Sequence, residues 1–305
     1  MLTVGALSRG ELDARLAGRG LYLQTGPFIN AIRSTISHVS DGIALLYADY
    51  PLAASTEFAD FHLHFPRSPL PRRLWRAQVR FDHDGVKPFA PLPEDQAWPM
   101  FEWVLNWCVS SRAHSYLMIH AAVVEKNGFA AILPAPPGSG KSTLCAALVH
   151  RGWRLLSDEL TLVRLSDGLL QPLPRPVSLK NASIDVIRNY VDGAVFSRPI
   201  HETLKGTVAH LKAPADSVAR AHETARPAWI VFPQYEAGAA TSLTPLAPAR
   251  AFMELAGNAF NYSLLGADGF EALAGLIGSS ASYQFRYSSL DEAIATFNRL
   301  APPAP

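Results

Sequence analysis

Residues 129–159 constrain the fold more than any other stretch of this sequence. An apolar run, Phe129 to Leu133, leads into Ala135-Pro136-Pro137-Gly138-Ser139-Gly140-Lys141-Ser142-Thr143. A helix-patterned segment follows from Lys141 to about His150, then a second apolar run, Trp153 to Leu156, that ends in Ser157-Asp158-Glu159. Strand, glycine loop, helix and a strand ending in acids is the layout of an α/β nucleotide site.

The loop matches the phosphate-binding pattern G-x-x-x-x-G-K-[ST], except that Ala135 stands where the first glycine belongs. Gly138 and Gly140 are free to take positive φ, which lets successive backbone N–H groups converge on a phosphate while the following helix aims its N-terminal dipole at the same charge. Lys141 is placed to neutralise the β and γ oxygens, and the Ser142 hydroxyl to bind the Mg²⁺ that bridges them. The plainer alternative is a glycine turn with a surface lysine at a helix start. The loop specifies a nucleotide but no particular reaction.

Asp158 and Glu159 lie at the end of a buried strand, 17 and 18 positions beyond Lys141. Phosphoryl transfer requires a carboxylate to hold Mg²⁺ and often another to take the acceptor's proton, and these two are the candidates. Adjacent acids at a strand end also form solvated turns. The phosphate loop upstream favours function.

Composition excludes several classes. The 305 residues are 49% apolar and 17% charged, as in an ordinary globular protein, and no uncharged apolar run reaches the roughly 18 residues of a membrane span. The first twenty residues hold Arg9, Glu11, Asp13, Arg15 and Arg19, which leaves no apolar core for a signal peptide, so a cytoplasmic protein is expected. Lys plus Arg number 27 against 26 Asp plus Glu, a balance that favours neither nucleic acid nor membrane as partner. Cys108 and Cys145 are too few for a disulfide framework and read as small core residues.

Before the loop, Gly20 to Ile32, Phe58 to Phe65 and Gln78 to Asp82 are expected as strands, with a tight turn at Asp84-Gly85. A helix is expected from near Asp95, tolerating Pro99 in its first turn and burying Phe101, Val104, Leu105 and Cys108. A strand from Tyr116 and a turn at Lys126-Asn127-Gly128 come next. Beyond the loop, Pro172, Pro174 and Pro176 frame a loop, Ser183 to Tyr190 forms a short helix, and Trp229 to Phe232 a buried strand ended by Pro233. Ala249 to Ala256 and Leu290 to Leu300 are closing helices, and the tail Pro302 to Pro305 is expected to fray.

Weaker signals remain. His62 and His64 share one strand face, as zinc ligands would, but lack a third ligand. Arg67, Arg72, Arg73, Arg76 and Arg80 beside Trp75 form either a patch for an acidic peptide or a solvated loop. Asn258, Asn261 and Tyr262 interrupt an apolar stretch.

His120-Ala121-Ala122-Val123-Val124, the phosphate loop, and Arg151-Gly152-Trp153-Arg154-Leu155-Leu156-Ser157-Asp158-Glu159 resemble the bacterial HPr kinase/phosphorylase family, and more closely its offshoot, HprK-related kinase A. Arg175 to Asn181, Lys205 to His210, Val231-Phe232-Pro233 and the segment with Glu102-Trp103 and Asn106-Trp107-Cys108 also resemble the offshoot. The resemblance to HPr kinase proper covers about residues 115–180, that to the offshoot most of the chain.

This resemblance implies an α/β fold: a P-loop kinase domain of HPr kinase/PEP carboxykinase type with a mixed sheet over 113–305, preceded by a small α+β accessory region over 1–112. It implies His120 near the transferred phosphate, Ser142 as metal ligand and Asp158 as catalytic base, with Glu159 in place of that family's second aspartate. Where the family carries a downstream glutamate and arginine, this chain has Ser178-Leu179-Lys180-Asn181. Serine cannot act as an anionic metal ligand, so the full metal site and reverse phosphorolysis are in question. Lys180 and Lys205 are candidates for stabilising transition-state charge.

The expected activity is ATP- and Mg²⁺-dependent transfer of the γ-phosphoryl group to a hydroxyl, here a serine of a small protein or peptide. The related kinases form rings of identical subunits, but the different N-terminal region here does not carry that assembly over, and a homo-oligomer stands as an open alternative to a monomer. The rivals are an ATP-binding regulatory or scaffold protein and a nucleotide hydrolase.

Overall fold

A computed structural model describes residues 2–54, 58–71, 75–83 and 85–302. Arg72, Arg73, Asp84 and the tail at 303–305 lie outside the described residues.

The chain opens with helix α1 (Arg9–Ala17), strands β1 (Leu21–Thr25) and β2 (Phe28–Ser34), helix α2 (Ser37–Leu46) and strand β3 (Phe61–Phe65). Ser8 and Glu11 cap α1 reciprocally, in the Ser-x-x-Glu spacing of a capping box. The expected single strand over Gly20 to Ile32 is an antiparallel hairpin instead, divided at Gly26, which has φ +53°. A side chain there would also meet the Pro172 carbonyl, since a Cβ would lie 2.5 Å from it. Strand β3 alternates buried and exposed residues as its sequence predicts, and pairs parallel to β2. Two short strands, β4 (Gln78–Val79) and β5 (Leu92–Pro93), lead to helix α3 (Ala97–Arg112), which buries Phe101, Val104, Leu105 and Cys108.

Strands β6 (Tyr116–Ile119), β7 (Ala121–Lys126) and β8 (Phe129–Pro134) precede helix α4 (Lys141–Val149) and strand β9 (Arg154–Ser157). Asn127 and Gly128, at φ 56° and 85°, make the two-residue turn between β7 and β8. Then come β10 (Thr161–Arg164), β11 (Leu170–Gln171), β12 (Val177–Lys180), α5 (Ala182–Tyr190), β13 (Ile200–Thr203), β14 (Gly206–Leu211) and α6 (Ala215–Ala219). The chain closes with β15 (Arg226–Tyr235), β16 (Ser242–Pro245), α7 (Pro248–Asn258), α8 (Tyr262–Leu265), α9 (Ala267–Gly278), β17 (Ala281–Tyr287) and α10 (Leu290–Phe297).

The fold is mixed α/β. Its central sheet has the order β16-β17-β15-β8-β7-β9, in which β8, β15 and β17 run parallel and the remaining neighbours antiparallel. Alternate residues of the near-continuous apolar strands serve opposite faces. Ala122, Val124, Ala131 and Leu133 join a large core shared with α3, α4 and α10, whereas Ala121, Val123, Ala130 and Ile132 join a second core under α7 and α9. A strand buried on both faces needs no polar alternation.

One expectation is corrected. Pro233 does not end its strand: β15 continues to Tyr235, and Pro233 pairs with Phe285 of β17. Pairing with β8 stops at Ile230, so Pro233 lies where β15 has lost its neighbour on that side and a missing N–H costs no ladder bond.

No described helix is long and apolar enough to cross a membrane. Both cysteines are free and buried.

Candidate functional site

The parallel strands β8, β15 and β17 end together, and the glycine loop emerges from β8 at that edge. Ala135 is buried at 2% exposure, where a small side chain fits, and Pro136, Pro137 and Gly138 project into solvent. Gly138 and Gly140 both take left-handed conformations, at φ 88° and 87°. A side chain at Gly138 would meet nothing within 4 Å, so its backbone angle alone demands glycine. Gly140 has a second reason. A Cβ there would lie 2.5 Å from the Tyr287 hydroxyl and 2.9 Å from Tyr235 Cβ. These tyrosines brace the loop: Tyr287 Oη donates to Gly140 O at 3.1 Å, and the Tyr235 N–H donates to Ser139 O at 2.9 Å. Helix α4 starts at Lys141 without any side-chain cap, so its first N–H groups, with those of Ser142 and Thr143, stay available to an anion.

Lys141 is 8% exposed. Its Nζ donates to the Asp158 carbonyl at 3.1 Å and lies 3.4 Å from His120 Nε2. Burial, reinforced by the Lys141 charge, lowers the His120 pKa to about 4, so the imidazole is neutral near pH 7 and able to accept from the ammonium. His120 follows β6, where the clamp of Asn261 onto the Met118 N–H and the Tyr116 carbonyl, at 2.9 and 2.8 Å, and the bond from His120 N–H to Asn258 O at 2.8 Å fix the edge. That is the task of the Asn261 side chain in the apolar stretch, whereas Asn258 contributes its main-chain carbonyl and turns its side chain to the Glu254 carbonyl.

Asp158 follows directly on β9 at 5% exposure. Its Oδ2 accepts the Ser178 N–H at 3.0 Å, and its Oδ1 has no hydrogen-bond partner among the described residues. Burial raises its pKa, opposed chiefly by Lys141, and Ser142 stands close enough to stabilise the anion without a well-formed hydrogen bond. Glu159 is half-buried, and burial would raise its pKa too. Lys205, Lys141, Lys180 and Arg175 together outweigh that effect and lower it, keeping the carboxylate ionised. Lys205 itself lies over the Trp103 ring, 5.0 Å from its centroid.

No protein-family profile and no curated protein matches this chain.

The structure therefore brings His120, the loop Ala135 to Thr143, Asp158 and Glu159 to one edge, and adds Lys180 and Lys205. His62 and His64 lie elsewhere, on the N-terminal sheet, and no group of three or more His, Cys, Asp or Glu among the described residues is placed to hold a metal. A hydroxyl and two carboxylates, one with an unpartnered oxygen, suit Mg²⁺, which takes its other ligands from phosphate and water. Several site residues escaped sequence reasoning. Ser178 contributes through its main chain, which residue type does not reveal. Tyr235 and Tyr287 act from distant strands. Asn106, which donates to Glu159 Oε2, carried one signal, as a polar residue four positions from Glu102 within the apolar first three turns of its helix.

Proposed function

We propose that this protein is an ATP- and Mg²⁺-dependent kinase of HPr-kinase type, with a P-loop kinase fold, which transfers the γ-phosphoryl group to a serine of a small protein or peptide in the cytoplasm. The observation that carries the reading is Asp158: a buried carboxylate with one oxygen fixed by the Ser178 N–H and the other unpartnered, beside Ser142 and Lys141 at an uncapped helix start.

The glycine loop binds phosphate through its N–H groups, and Lys141, held by the Asp158 carbonyl and neutral His120, adds positive charge at the same edge. Ser142, Asp158 and Glu159 would hold Mg²⁺, which supplies charge neutralisation to the phosphate oxygens. Asp158 orients the acceptor hydroxyl and takes its proton as the new O–P bond forms and the bond to the leaving ADP breaks. Lys180 and Lys205 face the charge that develops.

Incubation of the purified protein with γ-labelled ATP and Mg²⁺ against a lysate of its own cells tests this. The expected result is a labelled protein or peptide that is absent with Lys141→Ala. Free phosphate alone would establish a hydrolase, and bound, intact ATP a sensor.

A further inference from the structure

The proposed chemistry leaves a buried polar chain unused. The Tyr47 hydroxyl, at the end of α2, donates to Glu102 Oε1 at 2.8 Å, and Glu102 Oε2 lies 3.6 Å from Arg175 Nη1. Arg175 Nη2 donates to Asn106 Oδ1, and Asn106 Nδ2 donates to Glu159 Oε2. Glu102 and Asn106 are one turn apart on α3, so one helix face presents both. Glu102 and Arg175 are 3% and 8% exposed.

Stability does not account for this arrangement, because a buried ion pair is commonly matched or bettered by packed apolar residues. Nor does a ligand between these groups. The cavity that Glu102, Asn106, Asp158, Glu159, Arg175 and His210 line has a volume of about 10 Å³, room for about one water molecule. The side chains therefore act on one another.

The chain fixes which way the Asn106 amide points. A guanidinium only donates and a carboxylate only accepts, so with Arg175 on one side and Glu159 on the other the amide has one allowed orientation: oxygen to Arg175, nitrogen to Glu159. The neighbouring acids then share a pattern. Asp158 is held at Oδ2 by the Ser178 N–H, Glu159 at Oε2 by Asn106, and each keeps its other oxygen for a cation.

We infer that Asn106 is a positioning residue for Glu159, set in its orientation by Arg175, and that helix α3 enters the phosphoryl-transfer site through it. The inference rests on the kinase reading, in which Glu159 binds Mg²⁺. Outer partners of metal-ligating carboxylates commonly matter by about 10- to 100-fold in metal affinity.

Calorimetric titration with ATP over a series of Mg²⁺ concentrations tests it in wild type and Asn106→Ala, with Asn106→Leu as a variant closer in volume and Lys141→Ala as a control. Both Asn106 variants are expected to need about 10-fold more Mg²⁺ for half-maximal ATP binding, and to bind ATP without Mg²⁺ within about twofold of wild type. A purely structural role would lower the unfolding temperature and weaken ATP binding equally with and without Mg²⁺, which would overturn the inference. An unchanged Mg²⁺ requirement in folded Asn106→Ala or Asn106→Leu would overturn it while leaving the kinase reading intact. Failure of the wild type to bind ATP would instead overturn that reading, and the inference with it.

Discussion

Tyr287 holds Gly140 from two strands away in the central sheet: its hydroxyl donates to the Gly140 carbonyl at 3.1 Å, and that same hydroxyl occupies the space that any side chain at 140 would need. The loop's shape is thus set by contacts from β15 and β17 as well as by its own glycines.

Gly140→Ala should therefore do more damage than Gly138→Ala, although both positions have left-handed backbones. Replacement at 138 incurs only the backbone cost, about 1 kcal/mol. At 140 the collision with Tyr287 and Tyr235 adds to it, for a total of about 2–4 kcal/mol. Denaturant unfolding reads the difference, and equal losses at the two sites would refute the bracing role.

Far from the loop, the Glu125–Arg154 pair links β7 to β9 with both side chains almost wholly buried and 2.5 Å apart. Arg154 also donates to the carbonyls of Arg220 and Glu223, at 2.9 and 3.0 Å. Arg154→Met should cost about 3 kcal/mol by leaving buried Glu125 with only the more distant, exposed Arg220 as a cationic neighbour, and Arg154→Met with Glu125→Leu should recover part of that loss. A double mutant no more stable than the single one would show that packing, not the stranded charge, sets the cost.

Stability should fall in acid for a reason found at His210. Burial lowers its pKa from 6.5 to about 3, and its Nδ1 accepts from Trp98 Nε1–H at 3.2 Å. Between those values the unfolded chain binds the extra proton, so the stabilisation is present above pH 6.5 and is lost as pH falls toward 3, with a slope of up to about 1.4 kcal/mol per pH unit. Glu102 has the opposite sign. Burial raises its pKa from 4.5 to about 7, so its contribution is full below pH 4.5 and is lost as pH rises through 7. From pH 7.5 down to 4.5 the two contributions largely offset in the wild type, so the unfolding free energy should rise with falling pH in His210→Gln and fall in Glu102→Gln, each relative to wild type. Three parallel curves would contradict both assignments.

The sequence made the contiguous parts of the site legible. The loop residues and the acids at the end of β9 are set by local pattern, so strand, loop, helix and strand stand where periodicity and glycine placement put them. The contacts that complete the site are not local. Asn106 and Glu159 are 53 positions apart, Ser178 reaches Asp158 through a main-chain N–H, and Tyr287 meets Gly140 across 147 positions. Ser178 illustrates the limit, since its hydroxymethyl group is a poor substitute for a carboxylate but its backbone fixes one. The division of the first strand at Gly26 and the continuation past Pro233 have a related cause: whether glycine divides a strand or proline ends one depends on the neighbour beside it, here Pro172 and the end of β8.

The central claim is that Asp158 moves the acceptor's proton. Single-turnover transfer from γ-labelled ATP to the identified acceptor, at saturating Mg²⁺, should slow by about 10² to 10⁴ in Asp158→Asn, with labelled acceptor still the product. Transfer at the wild-type rate in that variant would contradict the account.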